Sequence, residues 1–273
     1  MWWALFACMD YTIEEQKDFN NEVDTASIDS ELDDSTGTTE DTASTEDTED
    51  SIIEDPEIAD AKMYANSSGE LYEIDPDTGY FTFIGEFRYN GEPVDHFEDI
   101  AIDLTGHMYG GTGEWLYLIN PSTAEVRPIC PLEIDTTALT FTSEGELIIG
   151  VDSSLYKMDI ENCSLETLVA YSFYETSGDI VGLPDGYLYW SVRGGDEDRL
   201  VRVNPRTGHE TLVGYIGENR LYGMGYSNNE LFGFSGSGNI VAINPETGNS
   251  SFLKEYSSIS WWGATTNPVV WEE

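Results

Sequence analysis

Basic residues are scarce in this chain. Lys and Arg number 11 against 53 Asp and Glu, for a formal net charge of −42. So acidic a chain repels phosphate backbones and anionic headgroups, which argues against a nucleic-acid partner or direct binding to a membrane surface. His96, His107 and His209 are all the histidines; their spacing matches no metal-ligand pattern, and they read as structural. No apolar run reaches the length of a membrane-spanning helix. The Gly-x-Ser-x-Gly elbow, the phosphate-binding glycine loop and His-Glu-x-x-His are absent too, so no catalytic residue is assigned. Cysteines number three: Cys8, Cys130 and Cys163.

What the chain has instead is a phrase written five times, beginning at Leu71, Leu116, Leu155, Leu200 and Ile240. Its first copy reads Leu71-Tyr-Glu-Ile-Asp-Pro-Asp-Thr-Gly79. The Asp or Asn in its middle recurs at Asp75, Asn120, Asp159, Asn204 and Asn244, in steps of 45, 39, 45 and 40 residues. A period of about 40 to 45 residues with several strands per repeat is the mark of a β-propeller. Leu-Tyr-x-Ile suits an inner strand, apolar on both faces. Asp-Pro-Asp-Thr-Gly suits the tight turn after it, with Pro presetting φ and Gly taking the left-handed position. Asp159-Ile-Glu-Asn-Cys163 lacks both Pro and Gly, so the third turn is expected to be the least regular.

A second hairpin precedes four of the phrases, as in Ile100-Ala-Ile-Asp-Leu-Thr-Gly106-His-Met-Tyr-Gly110. Each blade therefore has four strands, A to D from the axis outwards. The first repeat, about Lys62 to Phe87, lacks strand A, and the chain carries a surplus A-like strand at Trp262–Thr266. Pairing that strand with Lys62–Ala65 completes five blades and leaves no open edge. Ala101, Gly182, Gly223, Gly225, Gly263 and Ala264 keep the A strands small at a crowded axis.

The first sixty residues hold twenty Asp or Glu against one Lys, Lys17. Apolar residues are too sparse there to repay ordering, so residues 9–57 read as a disordered acidic tether and 58–273 as the propeller. Residues 1–8 end in Leu5-Phe-Ala-Cys8, which resembles the lipobox of bacterial lipoproteins. That resemblance implies a short signal segment, lipidation at Cys8, and a membrane contact made only through a lipid anchor.

Cys130 and Cys163 are expected as free thiols. Cys130 is placed after the D strand of one blade and Cys163 in the C–D turn of the next, on opposite faces, whereas a disulfide spans at most about 7 Å between Cα atoms. Asn66-Ser-Ser and Asn249-Ser-Ser match glycosylation acceptors, and Gly194-Gly-Asp-Glu-Asp198 reads as a solvated acidic turn.

Aligning the A strands on their glycines puts Asp99, Ala138, Asp179, Tyr222 and Trp262 at one channel mouth. Glu98, Thr137, Gly178, Leu221 and Trp261 precede them, with Asp135, Glu218, Asn219 and Arg220 nearby. Glu98, Asp99, Asp179, Tyr222, Trp261 and Trp262 are the candidate ligand-binding residues. Carboxylates beside aromatic faces suit a sugar. The same oxygens suit Ca²⁺, although no cofactor is firmly implied. The competing reading is that Asp99 and Asp179 satisfy backbone groups at strand starts and that the tryptophans fill the closing blade.

The repeats over Lys62–Trp271 are similar to those of bacterial extracellular β-propeller proteins with degenerate Leu-Tyr-x-Ile-Asp-Pro-x-Thr-Gly units. The resemblance implies an exported, surface-tethered chain, located at the cell envelope or outside it. Two functions compete: a non-catalytic, monomeric module that binds a glycan or a protein, and a glycoside hydrolase built on Asp99 and Asp179 with Glu98 or Asp135 as second acid. The hydrolase needs carboxylates about 5 to 9.5 Å apart.

Overall fold

The computed structural model describes residues 57–60 and 63–271. Cys8 and the acidic segment up to residue 56 lie outside the described residues, as do Ala61 and Lys62.

The strands follow the period of the phrase. Blade 1 contributes β1 (Met63–Asn66), β2 (Glu70–Ile74) and β3 (Phe81–Glu86), after which comes a small hairpin of β4 (Arg88–Tyr89) and β5 (Glu92–Pro93). Blade 2 is β6 (Asp99–Ile102), β7 (Met108–Gly111), β8 (Trp115–Ile119) and β9 (Val126–Pro131). Blade 3 is β10 (Ala138–Phe141), β11 (Leu147–Val151), β12 (Ser154–Asp159) and β13 (Ser164–Val169). Blade 4 is β14 (Thr176–Gly182), β15 (Leu188–Val192), β16 (Arg199–Val203) and β17 (Glu210–Tyr215). Blade 5 is β18 (Leu221–Ser227), β19 (Glu230–Ser235), β20 (Asn239–Ile243) and β21 (Ser250–Glu255). The last strand, β22 (Gly263–Thr266), precedes a 3-10 helix at Pro268–Val270.

The strands form five antiparallel sheets of four, one of them in the order β22-β1-β2-β3. The chain is thus an all-β, five-bladed propeller. The expected closure is present: Met63 pairs with Thr266, Tyr64 with Thr265, Ala65 with Ala264 and Asn66 with Gly263. Blade 1 is built from both ends of the domain.

Each phrase forms strand C and the turn after it. Its first residue is fully buried in every copy, at Leu71, Leu116, Leu155, Leu200 and Ile240. The Asp or Asn then accepts hydrogen bonds through Oδ1 from the two amides after the next residue, as Asp75 does from Asp77 N at 2.9 Å and Thr78 N at 3.3 Å. The third turn is no exception, contrary to expectation. Asp159 Oδ1 accepts from Glu161 N at 2.9 Å and Asn162 N at 3.1 Å. Cys163 takes the left-handed φ of 50° that Gly79, Gly208 and Gly248 take elsewhere. The Asp159 side chain carries that turn without Pro or Gly.

Strand D has its own regularity. In every blade its ladder with strand C slips between the first and second residues of the phrase. Such a bulge bends the strand. The residue paired with the phrase's first position is Gly85, Cys130, Val169, Gly214 or Lys254. There the C–D turn of the next blade docks: a Cβ on Gly85 would lie 2.7 Å from Thr123 O, and one on Gly208 would lie 3.1 Å from Val169.

At the joint of blades 2 and 3 these two positions are cysteines, and they are bonded. Cys130 and Cys163 form a disulfide with a Cα separation of 5.5 Å, which corrects the expectation of free thiols. Cys130 lies within β9 rather than after it, and the bend of the outer strand carries it onto the neighbouring turn.

Chain direction sorts the connections. D→A loops and B→C turns share one side, here the loop face; A→B and C→D turns share the other, the turn face. Residues before β1 run along the turn face, where Ala59 N donates to Gly106 O at 2.8 Å and Asn267 Nδ2 donates to Ala59 O at 2.5 Å.

Candidate functional site

Five A strands converge on the axis, and their ladders define equivalent positions. Asp99 pairs with Gly111, Ala138 with Gly150, Gly223 with Phe234 and Gly263 with Asn66. Asp179 precedes Ile180, which pairs with Trp190. The axial ring is therefore Asp99, Ala138, Asp179, Gly223 and Gly263. Tyr222 and Trp262 stand one residue earlier than the sequence alignment placed them, because β18 slips between Leu221 and Gly223 and β22 begins at Gly263.

Each ring position is followed by a backbone N–H near the axis, and the two carboxylates collect all five. Asp99 accepts from Ile100 N at 2.8 Å and from Leu139 N at 2.7 Å. Asp179 accepts from Ile180 N at 2.5 Å, and from Met224 N and Ala264 N. Both side chains are wholly buried. Burial pushes both carboxyls well above the ordinary carboxylate range, and for Asp99 the neighbouring Asp179 pushes further in the same direction. The pair serves strand starts from inside the fold and is not presented at the mouth. Gly and Ala at the other three positions make room for it: a Cβ on Gly263 would lie 2.3 Å from Asp99 Oδ1.

Residues that sequence reasoning missed support this centre. Asn66 is fully buried and donates through Nδ2 to Phe97 O at 3.0 Å, so its glycosylation motif is not presented to solvent. Ser191 Oγ donates to Asp179 O at 3.1 Å and Leu221 O at 3.0 Å. Thr140 Oγ1 accepts from Gly182 N at 3.0 Å and Thr266 Oγ1 from Tyr226 N at 2.6 Å, each tying one A strand to the next. Small polar residues inside strands offer no pattern by which to find them beforehand.

The mouth on the loop face is formed by other groups. Trp261 is fully buried, edge-on to Tyr72 at 5.4 Å and Phe234 at 5.7 Å; it fills the seam between blades 5 and 1. Trp262 is half-buried, 6.2 Å from the His96 ring. Tyr222 lies between Gly178 and Gly236, where added Cβ atoms would come within 2.8 and 2.6 Å of its ring. Arg220 sits 5.6 Å from the ring centroid and donates to its hydroxyl at 3.2 Å. Glu98 is half-buried, and its carboxyl is raised by burial and by Asp135, with His96 opposing. Asp198 departs from the expected solvated turn. It is buried, accepts from Ser177 Oγ at 2.5 Å and from Leu221 N at 2.8 Å, and braces the loop behind Tyr222.

A second feature of this face gave no signal in the repeats. In the loop from β13 to β14, Tyr171 and Phe173 are 90% and 105% exposed. The loop is held by Ser172 N to Ser153 O at 2.7 Å, Thr176 N to Asp152 O at 2.7 Å and Tyr174 N to Ser172 Oγ at 2.8 Å. Tyr171 has a φ of 54°. Among the described residues no group of three or more His, Cys, Asp or Glu is placed to hold a metal ion.

No family model and no curated protein matches the chain. Solved structures do. A chain of a nidogen/laminin complex aligns at TM-score 0.52 and 12% identity, over 76% of this chain and 98% of that one. A symmetrical protein from a study of de novo evolutionary emergence aligns at 0.47 and 18%, over 74% and 92%. The extracellular domain of a one-component system from B. thetaiotaomicron aligns at 0.43 and 11%, over 71% and 28%. At these identities the likeness is one of fold.

Proposed function

We propose that this chain is a non-catalytic interaction module that binds a protein partner through its loop face. The observation that carries the reading is the pair Tyr171 and Phe173, fully exposed on a loop whose backbone is already fixed. Large aromatic side chains are costly to leave in water, and rigid ones lose little entropy on binding, which is why aromatic anchors dominate interface energies. Asp95, Glu114, Glu133 and Asp135 are exposed on the same face, where Glu175 is already paired with Arg193, so a basic partner surface fits. The propeller similar at TM-score 0.52 comes from a protein–protein complex, in keeping with such a ligand.

A glycan is the second reading, favoured by the half-buried rings of Tyr222 and Trp262 beside Glu98. The hydrolase reading loses its leading pair, since Asp99 and Asp179 are buried and occupied by backbone amides.

Display from the bacterial cell envelope fits two features. The disulfide belongs to an oxidising compartment. The chain also enters β1 from the turn face, on the side opposite the loop that carries Tyr171 and Phe173.

The test is photo-crosslinking in the native envelope from a probe at Phe173, with a probe at Arg206 on the turn face as control. A single protein adduct from Phe173 that disappears with Tyr171→Ser is expected. Equal labelling from both sites, or specific binding to a glycan array that Tyr222→Ala abolishes, refutes the protein reading.

A further inference from the structure

Beside Asp99 lies a third buried oxygen with no hydrogen-bond donor among the described residues. Asn66 Nδ2 donates to Ser67 O at 2.9 Å and to Phe97 O at 3.0 Å, which fixes the orientation of the amide. Its Oδ1 is buried without a hydrogen-bond partner among the described residues. That atom and Asp99 Oδ1 both crowd Gly263, at 2.6 and 2.3 Å from the point where a Cβ would stand. On its other side Asp99 meets the Asp179 carboxyl. An amide oxygen and two carboxylates gathered away from water repel one another unless a hydrogen lies among them.

We propose that Asp99 is held as a neutral carboxylic acid on the propeller axis, its proton donated to the Asp179 carboxylate as a latch between blades 2 and 4, so that the Asn66 oxygen of the closing blade stands beside a neutral group rather than a charge. The elements packed around Asp99 supply Asn66 from β1, the Leu139 amide from β10, Asp179 from β14 and Gly263 from β22. Asp179 is the one titratable side chain among them. Glu98, next in the chain, responds instead to His96 and Asp135. A hard divalent cation takes six to eight oxygen ligands. The three side chains here share their space with five inward N–H donors, which suits a proton better than Ca²⁺.

The consequence is a fold that loosens as pH rises. The raised folded pKa of Asp99 means that above about pH 4 the unfolded chain has lost a proton the folded chain still holds. Each further pH unit then lowers the folding constant about tenfold, until Asp99 ionises in the folded state. Asp179, Glu98 and Asp198 are raised as well and share the sign; all three stay in Asp99→Asn, whose amide keeps a donor beside Asp179, so the contrast between wild type and variant reads the latch proton.

The test uses the full chain. Infrared and carboxyl-carbon NMR spectra at pH 7 are expected to show a protonated aspartic acid that Asp99→Asn removes. Denaturant unfolding from pH 5 to 8 is expected to weaken more steeply in wild type than in Asp99→Asn, by about one proton's linkage. The variant also loses an acceptor for a backbone amide, but that loss is equal at every pH. Should Asp99→Asn fail to fold, the wild-type spectra decide. Absence of a protonated carboxyl at pH 7, equal slopes in the two proteins, or a stoichiometric metal whose chelation removes the pH dependence overturns the proposal.

Discussion

Removing the Cys130–Cys163 bridge tests how the blades are joined. The proposed change is Cys130→Ala with Cys163→Gly, which recreates the small-residue joint found where Gly214 meets Gly248. The disulfide closes a loop with a sequence separation of 33, so loop-closure entropy assigns it about 3.7 kcal/mol. Glycine relieves the left-handed φ of 50° at residue 163, a gain of about 1 kcal/mol. Loss of the fully buried Cys130 sulfur costs a similar amount, roughly 1 kcal/mol. The two offset each other, leaving a net loss of about 3 to 4 kcal/mol and a fall in Tm of roughly 7 to 15 °C for a domain of this size. Thermal unfolding followed by tryptophan fluorescence, with and without reductant, reads it out. Reduced wild type is expected to approach the variant, and thiol titration of the denatured, unreduced and unlipidated chain to count one cysteine of the three, Cys8. An unchanged midpoint on reduction, or three reactive thiols before it, refutes the joint as described.

Other expectations follow from the same geometry. Deleting the chain from residue 260 removes β22 and leaves β1 as an open edge, so the whole domain is expected to lose cooperative unfolding; a sharp transition near the wild-type midpoint contradicts closure. Gly182→Ala drives a Cβ to 2.1 Å from Phe141 O and is expected to destabilise by about 1 to 3 kcal/mol. Gly113→Ala, whose Cβ would meet nothing nearer than Asp135 Oδ1 at 3.5 Å, is expected to cost less than that, and equal losses in denaturant titrations count against a crowded axis. Tyr109 and Tyr189 are both pushed up to about 12, first by burial and then by Asp103 and Asp185 respectively. Because the folded values are raised, the stability they contribute is present below the ordinary tyrosine pKa and lost as pH climbs through theirs. Absorbance titration is expected to show both ionising late, and early ionisation of all tyrosines refutes their environment.

Much of the architecture is legible in the repeated phrase, because its apolar strand and Asp or Asn turn each impose a local geometry that recurs at a fixed period. The missing first A strand and the surplus last one locate the seam for the same reason. Two misreadings have a common origin. Aligning A strands on glycines ignores the slip at Tyr222, and assigning the cysteines to opposite faces ignores the bulge that bends β9. Bulges add a residue without changing composition, so a pattern of strands and turns passes over them. The axial acids were found by position, while their burial depends on Gly223 and Gly263 arriving from strands far away in the chain. Asn66 looks like a glycosylation motif until its amide is seen bonded to the Phe97 carbonyl.

The seam has a mechanical meaning. Met63 pairs with Thr266, so the outward ends of β1 and β22 leave the fold side by side. A pull between the two ends of the domain loads their hydrogen bonds in turn, like a zipper. A pull between the start of β1 and the loop face drags β1 lengthwise past β2 and β22, loading both ladders in parallel. The ring is therefore weakest along a pull between its own two ends and strongest along a pull from the start of β1 towards the loop face.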